Sequence, residues 1–291
     1  MKKTLRLLWS ILTAPFKFAF WLTSIKDLFA VFRESVEEGS LPEAVNKVID
    51  NPFSIMEHLS ALRNNLVRAV LILAAATGLA LYYNYYILDF LSKPIEGGID
   101  ALVAIDVTEP IGTVMRVALF AGFAVTFPYL AYQIWLFVAP AVISRRRRFF
   151  SLVAIPAATL LFAGGVLFAY YILLPRALPF LLNFMGIKTI PRPSSYITFT
   201  VGLMFWIGIF FEFPLVMLFS AALGWVKAEM LAQQWRLAIV IITVIAALIT
   251  PTVDPVNMSL VAGPMIILYF FGVGLAFIGQ GGRSLTKKPN S

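Results

Sequence analysis

Six long apolar runs dominate this chain and leave it few ways to fold: roughly 67–88, 112–139, 149–174, 199–222, 235–250 and 256–278. A bilayer core about 30 Å thick takes about 20 apolar residues per helical crossing, and all but one of the runs meet that length or nearly so. The fifth is only about 16 residues, near 24 Å at the helical rise, so it spans only where the membrane is thinned or its ends are shielded by protein. With 60% hydrophobic and 13% charged residues, against about 25% charged in globular domains, there are too few charges to clothe a soluble surface. The chain reads as an all-α, polytopic integral membrane protein with six transmembrane helices. Prolines 251 and 255 in "ALITPTVDPVNM" predict a tight non-helical turn between the fifth and sixth.

Basic residues set the orientation. Residues 1–68 and the loops and tail on the same side hold 18 Lys or Arg; the opposite side has Lys93, Arg116, Arg176, Lys188 and Arg192. Both termini are therefore expected to be cytoplasmic. Arg145 to Arg148 serve as the topological anchor, and the +8 formal charge is read through this topology rather than as a nucleic-acid footprint. The first 54 residues, with aromatic and aliphatic residues between spaced lysines, suit one or two helices at the cytoplasmic interface, attached to anionic lipid or to a partner helix; a seventh span would have to contain Lys17. They lack a convincing cleavage motif for an export signal. Three regions result: an interfacial extension 1–54, a membrane domain 55–279 and a cytoplasmic tail 280–291.

Two longer segments lie outside. "DFLSKPIEGGIDALVAIDVTEPIG" carries five acids and one lysine and is too polar for lipid. "LPRALPFLLNFMGIKTIPRPSSYI" has a Phe and Leu cluster that predicts a short amphipathic cap. Nothing suggests an enzyme: there is no phosphate-binding loop, no HExxH, and no histidine near Ser194 and Ser195. With no cysteine and one histidine, His58, no metal or cofactor is expected.

The most pointed residue is Glu212, alone among apolar neighbours in "GLMFWIGIFFEFPLVM". In one continuous helix Met204, Gly208, Glu212 and Val216 share a face, with Gly208 leaving room beside the carboxyl. It is either satisfied inside the bundle or offered to a partner. A proton-coupled small-solute transporter using Glu212 is one reading.

Several separated motifs, namely "MEHLSALRNNL", "AIDVTEPIGTVMRVALFAGFAVTFPYLAYQIWLFVAPAVISRRRR", "GLMFWIGIFFEFPLVM" and "LITPTVDPVNMSLVAGPMIILYFFGV", resemble TatC, the polytopic core subunit of the twin-arginine protein translocase. The resemblance covers about residues 55–279. It implies a concave, cup-like helix arrangement with two short last spans, in a prokaryotic cytoplasmic membrane. It also implies binding of twin-arginine signal peptides of folded precursors, and assembly with single-span TatA- or TatB-type subunits and with further copies of itself for export driven by the proton motive force. His58, Leu59, Leu62 and Arg63 match the first motif; Tyr132, Gln133, Trp135, Phe137, Ala139 and Pro140 match the second. The two acids held to receive the signal fall on Ala61 and Arg147, leaving Glu57 as a nearby carboxylate or one more surface charge. An assembly-only subunit without signal recognition is therefore a further reading. Glu212 matches the embedded glutamate, an expected docking point for a partner helix, and Gln133 and Tyr132 could join it or serve as interfacial anchors. Pro94, Asp106, Pro110 and Asp254 match family positions in the loops, where Asp106 is a solvated acid or a helix-start device and Asp254 a turn residue.

Overall fold

The computed structural model describes residues 52–138, 144–183, 190–250 and 255–284, and every regular element among them is helical. In chain order these are α1 (Pro52–Tyr82), α2 (Asn84–Ser92), a 3₁₀ turn (Gly98–Ala101), α3 (Glu109–Val138), α4 (Ser144–Phe168), a π turn (Ala169–Leu173), α5 (Leu174–Leu182), α6 (Pro193–Phe211), α7 (Phe213–Leu223), α8 (Ala228–Gln233), α9 (Trp235–Ile249) and α10 (Pro255–Ser284). Five stretches are long and apolar enough to cross a membrane: Asn65–Tyr82, Glu109–Trp135, Val153–Leu182, Pro193–Leu223 and Pro255–Gln280. Helix α9, of 15 residues, is the fifth apolar helix in chain order and the short one, as its sequence predicts.

The boundaries differ from the sequence reading in ways the local chemistry explains. Helix α1 begins at Pro52, inside the expected interfacial extension, whose residues 1–51 lie outside the described residues, as do 285–291 and residues 251–254, where the sequence predicts a turn. The first span stops at Tyr82 rather than 88, because the Asn84 side chain donates to the Leu81 carbonyl at 2.5 Å and Tyr83 leaves helical geometry. Such side-chain bonds compete with the helix ladder. The start of the segment expected to cap the bundle after the third span is helical as α5, but it continues α4 through the π turn and falls within the apolar stretch Val153–Leu182. The last helix runs to Ser284 instead of 278, so it is not short.

The largest correction concerns the fourth span, which breaks at Glu212 into α6 and α7. Pro214 has no N–H to give the Phe210 carbonyl and its ring crowds it. The chain tightens instead: the Glu212 amide bonds the Ile209 carbonyl at 3.1 Å, and the Glu212 carbonyl accepts from Leu215 and Val216 at 3.0 Å each. The single face through Met204, Gly208, Glu212 and Val216 is therefore lost, Met204 being 4% and Val216 53% exposed.

The described residues form two compact units. One comprises residues of 52–79 and 121–156; the other comprises 80–120 and residues of 157–284. In the first, helices α1 and α3 meet where Gly122 lies against Thr77, with the Thr77 amide 2.8 Å from where a side chain on Gly122 would begin. The second holds the main core, built on Leu173, Leu174, Ile197, Leu203, Ile207 and Met265, all nearly inaccessible. Helix α7 packs chiefly on α10, as do α8 and α9 to a lesser extent. The α7–α10 contact is close because Gly272 and Gly279, seven residues apart, present bare backbone: a Cβ on Gly272 would come within 2.6 Å of Met217 Sδ, and one on Gly279 within 2.8 Å of the Leu218 carbonyl. We expect Gly272→Val to overpack this seam by about 1–3 kcal/mol and to lower the apparent Tm in detergent. Gly202→Ala, where a Cβ meets nothing within 4 Å, should leave Tm unchanged or raise it slightly.

Candidate functional site

Three places gather the polar chemistry of the chain. The first lies in the second unit, where the α2–α3 connection meets the start of α6. The α3 N-terminus is built by "DVTEP": Asp106 Oδ1 accepts from the Thr108 amide at 3.1 Å and its hydroxyl at 3.2 Å, and Pro110 follows in the first turn, where its missing N–H costs nothing. Asp106 is thus an exposed helix-start device. Glu109 does more. Its Oε2 accepts from the Ile105 and Asp106 amides at 3.1 and 3.5 Å, its Oε1 from the Ser194 amide at 3.3 Å and from the Ser194 hydroxyl, and Arg192 Nε stands 3.5 Å away. The Glu109 side chain is only 4% exposed. This carboxylate fastens the α2–α3 connection to the head of α6, helped by the Val103 amide bonding the Pro191 carbonyl at 3.3 Å.

Two buried tyrosines complete the fastening. The Tyr170 hydroxyl, in the π turn, donates to the Phe90 carbonyl at 2.5 Å and its ring stacks on Phe90 at 4.5 Å; the Tyr196 hydroxyl donates to the Leu91 carbonyl at 2.6 Å. Tyr196 closes a carbonyl that the end of α2 leaves open, and Tyr170 adds a second bond to the Phe90 carbonyl, which the Lys93 amide already reaches at 3.4 Å. Pro94 follows directly, half-buried. Sequence reading placed Asp106, Pro94 and Pro110 here but missed Glu109, Ser194, Tyr170 and Tyr196. The one legible signal was Asp-x-Thr-Glu-Pro as a helix start, since the partners lie 80 residues or more along the chain.

The second place is the α6–α7 break. Glu212 is half-buried, and its Oε1 is enclosed with no hydrogen-bond partner among the described residues. The space that Gly208 was expected to leave for a visitor is filled from within: the Phe162 ring and Val166 of α4 stand 2.7 and 3.1 Å from where its Cβ would be. Any approach to the carboxyl therefore comes from another side.

The third place is in the first unit. Glu57, His58, Leu62 and Arg63 lie on the first turns of α1, Arg63 exposed, with Ala61 among them. Tyr132, Gln133 and Phe137 lie near the end of α3, and Arg147 near the start of α4. Pro140 and Asp254 fall outside the described residues. Gln133 Nε2 donates to the Tyr129 hydroxyl at 2.5 Å while its Oε1 is buried without a partner among the described residues, and the half-buried Tyr132 ring lies 6.4 Å from that of Tyr129. Gln133 and Tyr132 thus belong to a different unit from Glu212. A fourth polar contact braces the α7–α9 connection: Gln280 of α10 accepts from the Ala228 amide at 2.7 Å and donates to both Glu229 oxygens at 3.2 Å. Bonds from its own amide, then from Gln280, hold the Glu229 carboxyl below the usual carboxylate range.

Residues 57–264 match the family model of the Sec-independent protein translocase protein TatC. The chain is 37% identical over 232 residues to the Sec-independent protein translocase protein TatC of Koribacter versatilis, covering 77% of this chain and 85% of that one. It is 34% identical to the protein of the same name from Deinococcus radiodurans, covering 76% and 85%. Among solved structures it resembles the crystal structure of the twin-arginine translocase receptor TatC, at 32% identity and a TM-score of 0.67 over 76% of this chain and 99% of that one.

The Glu109 fastening makes a direct prediction. Glu109→Ala should lower the apparent Tm and speed proteolysis between residues 93 and 108. Adding Ser194→Ala should then change little, because the two groups share one network; additive losses would mean that they act separately.

Proposed function

This chain belongs to the TatC family of Sec-independent protein translocase proteins, and on that premise we propose how it receives its partners. It is a multi-pass membrane protein and a core subunit of the twin-arginine translocase, a transport component without enzymatic activity. Its place is the prokaryotic cytoplasmic membrane with both termini cytoplasmic, a reading that rests on the basic-residue asymmetry. The proton-coupled small-solute reading gives way to this one.

Glu212 docks the transmembrane helix of a TatA- or TatB-type subunit. The observation that carries this is its enclosed Oε1, unpaired among the described residues in a span where an unsatisfied polar atom is costly. The break at Pro214 supports the reading by fixing the carboxyl at a bend. Gln133 and Tyr132, with a second unpaired buried carbonyl oxygen, form a separate contact. Glu212→Leu should reduce site-specific crosslinking to the partner helix by about tenfold, the scale of one hydrogen bond to a charged or strongly polar group, and export should fall with it. Unchanged crosslinking and unchanged export would remove Glu212 from the interface.

Signal peptides bind along the first turns of α1 and the α3–α4 connection, at Glu57, His58, Leu62, Arg63, Phe137, Pro140 and Arg147. The support is that the described members of this set share one compact unit. Ala61 and Arg147 put no negative charge where the signal's paired arginines are expected, and Arg147 repels them, so Glu57 supplies the carboxylate. The same two residues favour a second reading, an assembly subunit that leaves recognition to a partner. Photocrosslinkers at positions 57, 61 and 147 decide between them: contacts to a twin-arginine precursor at all three support binding here, whereas no contact with export intact moves recognition to another subunit.

A further inference from the structure

Arg68, Arg116 and Arg176 all stand within apolar spans without a countercharge among the described residues, and of the three Arg116 is the one bonded to a side chain of another helix. It lies seven residues into α3, about 10 Å along the axis from Glu109, and is exposed between Met115 and Leu119, themselves 50% and 55% exposed. Its Nη1 donates to the Thr198 hydroxyl at 2.5 Å, and that hydroxyl in turn donates to the Ser194 carbonyl at 2.6 Å. Thr198 is therefore a neutral anchor whose proton is committed. A guanidinium has five N–H donors, and the other four of Arg116 find no acceptor among the described residues. The Glu109 carboxylate, two turns back on the same helix, is spent: both its oxygens already accept from the backbone, Ser194 and Arg192.

The surroundings point to a ligand of one chemistry. Arg192, Ser195 and Thr198 recur every three residues along the start of α6, so they share one face. Arg192 is 45% exposed and engages Glu109 through Nε alone, and Ser195 is exposed. One turn before Arg116, Gly112 has nothing within 4 Å of where a side chain would stand, so no described residue covers the approach there. A long arginine stem among lipid-facing apolar residues carries its head towards the level of the lipid phosphates. Guanidinium also matches phosphate oxygens in a bidentate fork, which a lysine cannot do.

We propose that Arg116 and Thr198, flanked by Arg192 and Ser195, bind the phosphodiester of a phospholipid whose acyl chains lie along Met115 and Leu119. The lipid supplies the negative charge the protein withholds. Because it abuts Ser194, the site also couples the lipid to the Glu109 fastening.

The test uses the full chain purified in detergent, with bound lipid counted by native mass spectrometry. Phosphatidylglycerol should be retained, and diacylglycerol of the same acyl chains, lacking the phosphate, should not. Arg116→Gln should weaken retention about tenfold, Arg116→Lys less, and Thr198→Val several-fold. Arg176→Gln, which removes an exposed cation bonded among the described residues only to the Ile172 carbonyl, should have no effect. Equal retention by wild type and Arg116→Gln overturns the proposal, as does an equal loss with Arg176→Gln, which would mean diffuse attraction. Retention of diacylglycerol reduces the site to apolar contact, and displacement by excess inorganic phosphate makes it a free-anion site; either outcome overturns a phospholipid site. Should Arg116→Gln fail to fold by circular dichroism, Thr198→Val decides alone, and its unchanged retention would count against the proposal.

Discussion

In hydrocarbon a backbone carbonyl or amide without a partner has no water to turn to, and the rest of this structure follows from how the chain meets that demand. Long helices answer it for most residues. The informative places are where helices stop, because each stop opens carbonyls that something else must close. Tyrosines do so: Tyr196 bonds the Leu91 carbonyl of α2 and Tyr269 of α10 the Leu231 carbonyl of α8, while Tyr170 adds to the Lys93 amide at Phe90. Tyrosine suits the task, since its ring packs in the core while its hydroxyl reaches the orphan group.

The same demand explains why the polar chemistry sits where it does. Glu109 satisfies two amides before its own helix and one at the head of another, so a single carboxylate organises two helix starts. At Glu212 the proline-induced break redistributes backbone bonds locally, and one side-chain oxygen, Oε1, is left without a partner among the described residues. Arg116 is left over in the opposite sense, a cation whose protein partner is neutral. The groups that the fold consumes hold it together; those it leaves unpaired are the ones available to other molecules.

Helix-to-helix distance is controlled by glycine in the second unit. Gly165 of α4 brings its backbone to that of Gly208 in α6, with Gly208 Cα 2.9 Å from where a Cβ on Gly165 would be, and Gly272 and Gly279 do the same for α10 against α7. Without a hydrophobic force between helices in lipid, such close packing carries much of the association. Phe162 fills the notch at Gly208, which makes that glycine a packing feature and not an entrance to Glu212.

The sequence by itself determined that the chain is all-helical and membrane-spanning, that its fifth apolar helix is short, and that it belongs with TatC, because apolar run length and separated motifs are local properties. It also singled out Glu212, since a lone carboxylate among apolar residues is conspicuous in one dimension. Only the tertiary structure decided that the fourth span breaks at that residue, that Gly208 is filled from α4, and that Glu109, Ser194, Tyr170 and Tyr196 form the fastening. Those facts depend on which residues far apart in the chain meet when helices pack. A buried tyrosine and an interfacial one, or a solvated glutamate and a clasping one, look alike until their partners are in place.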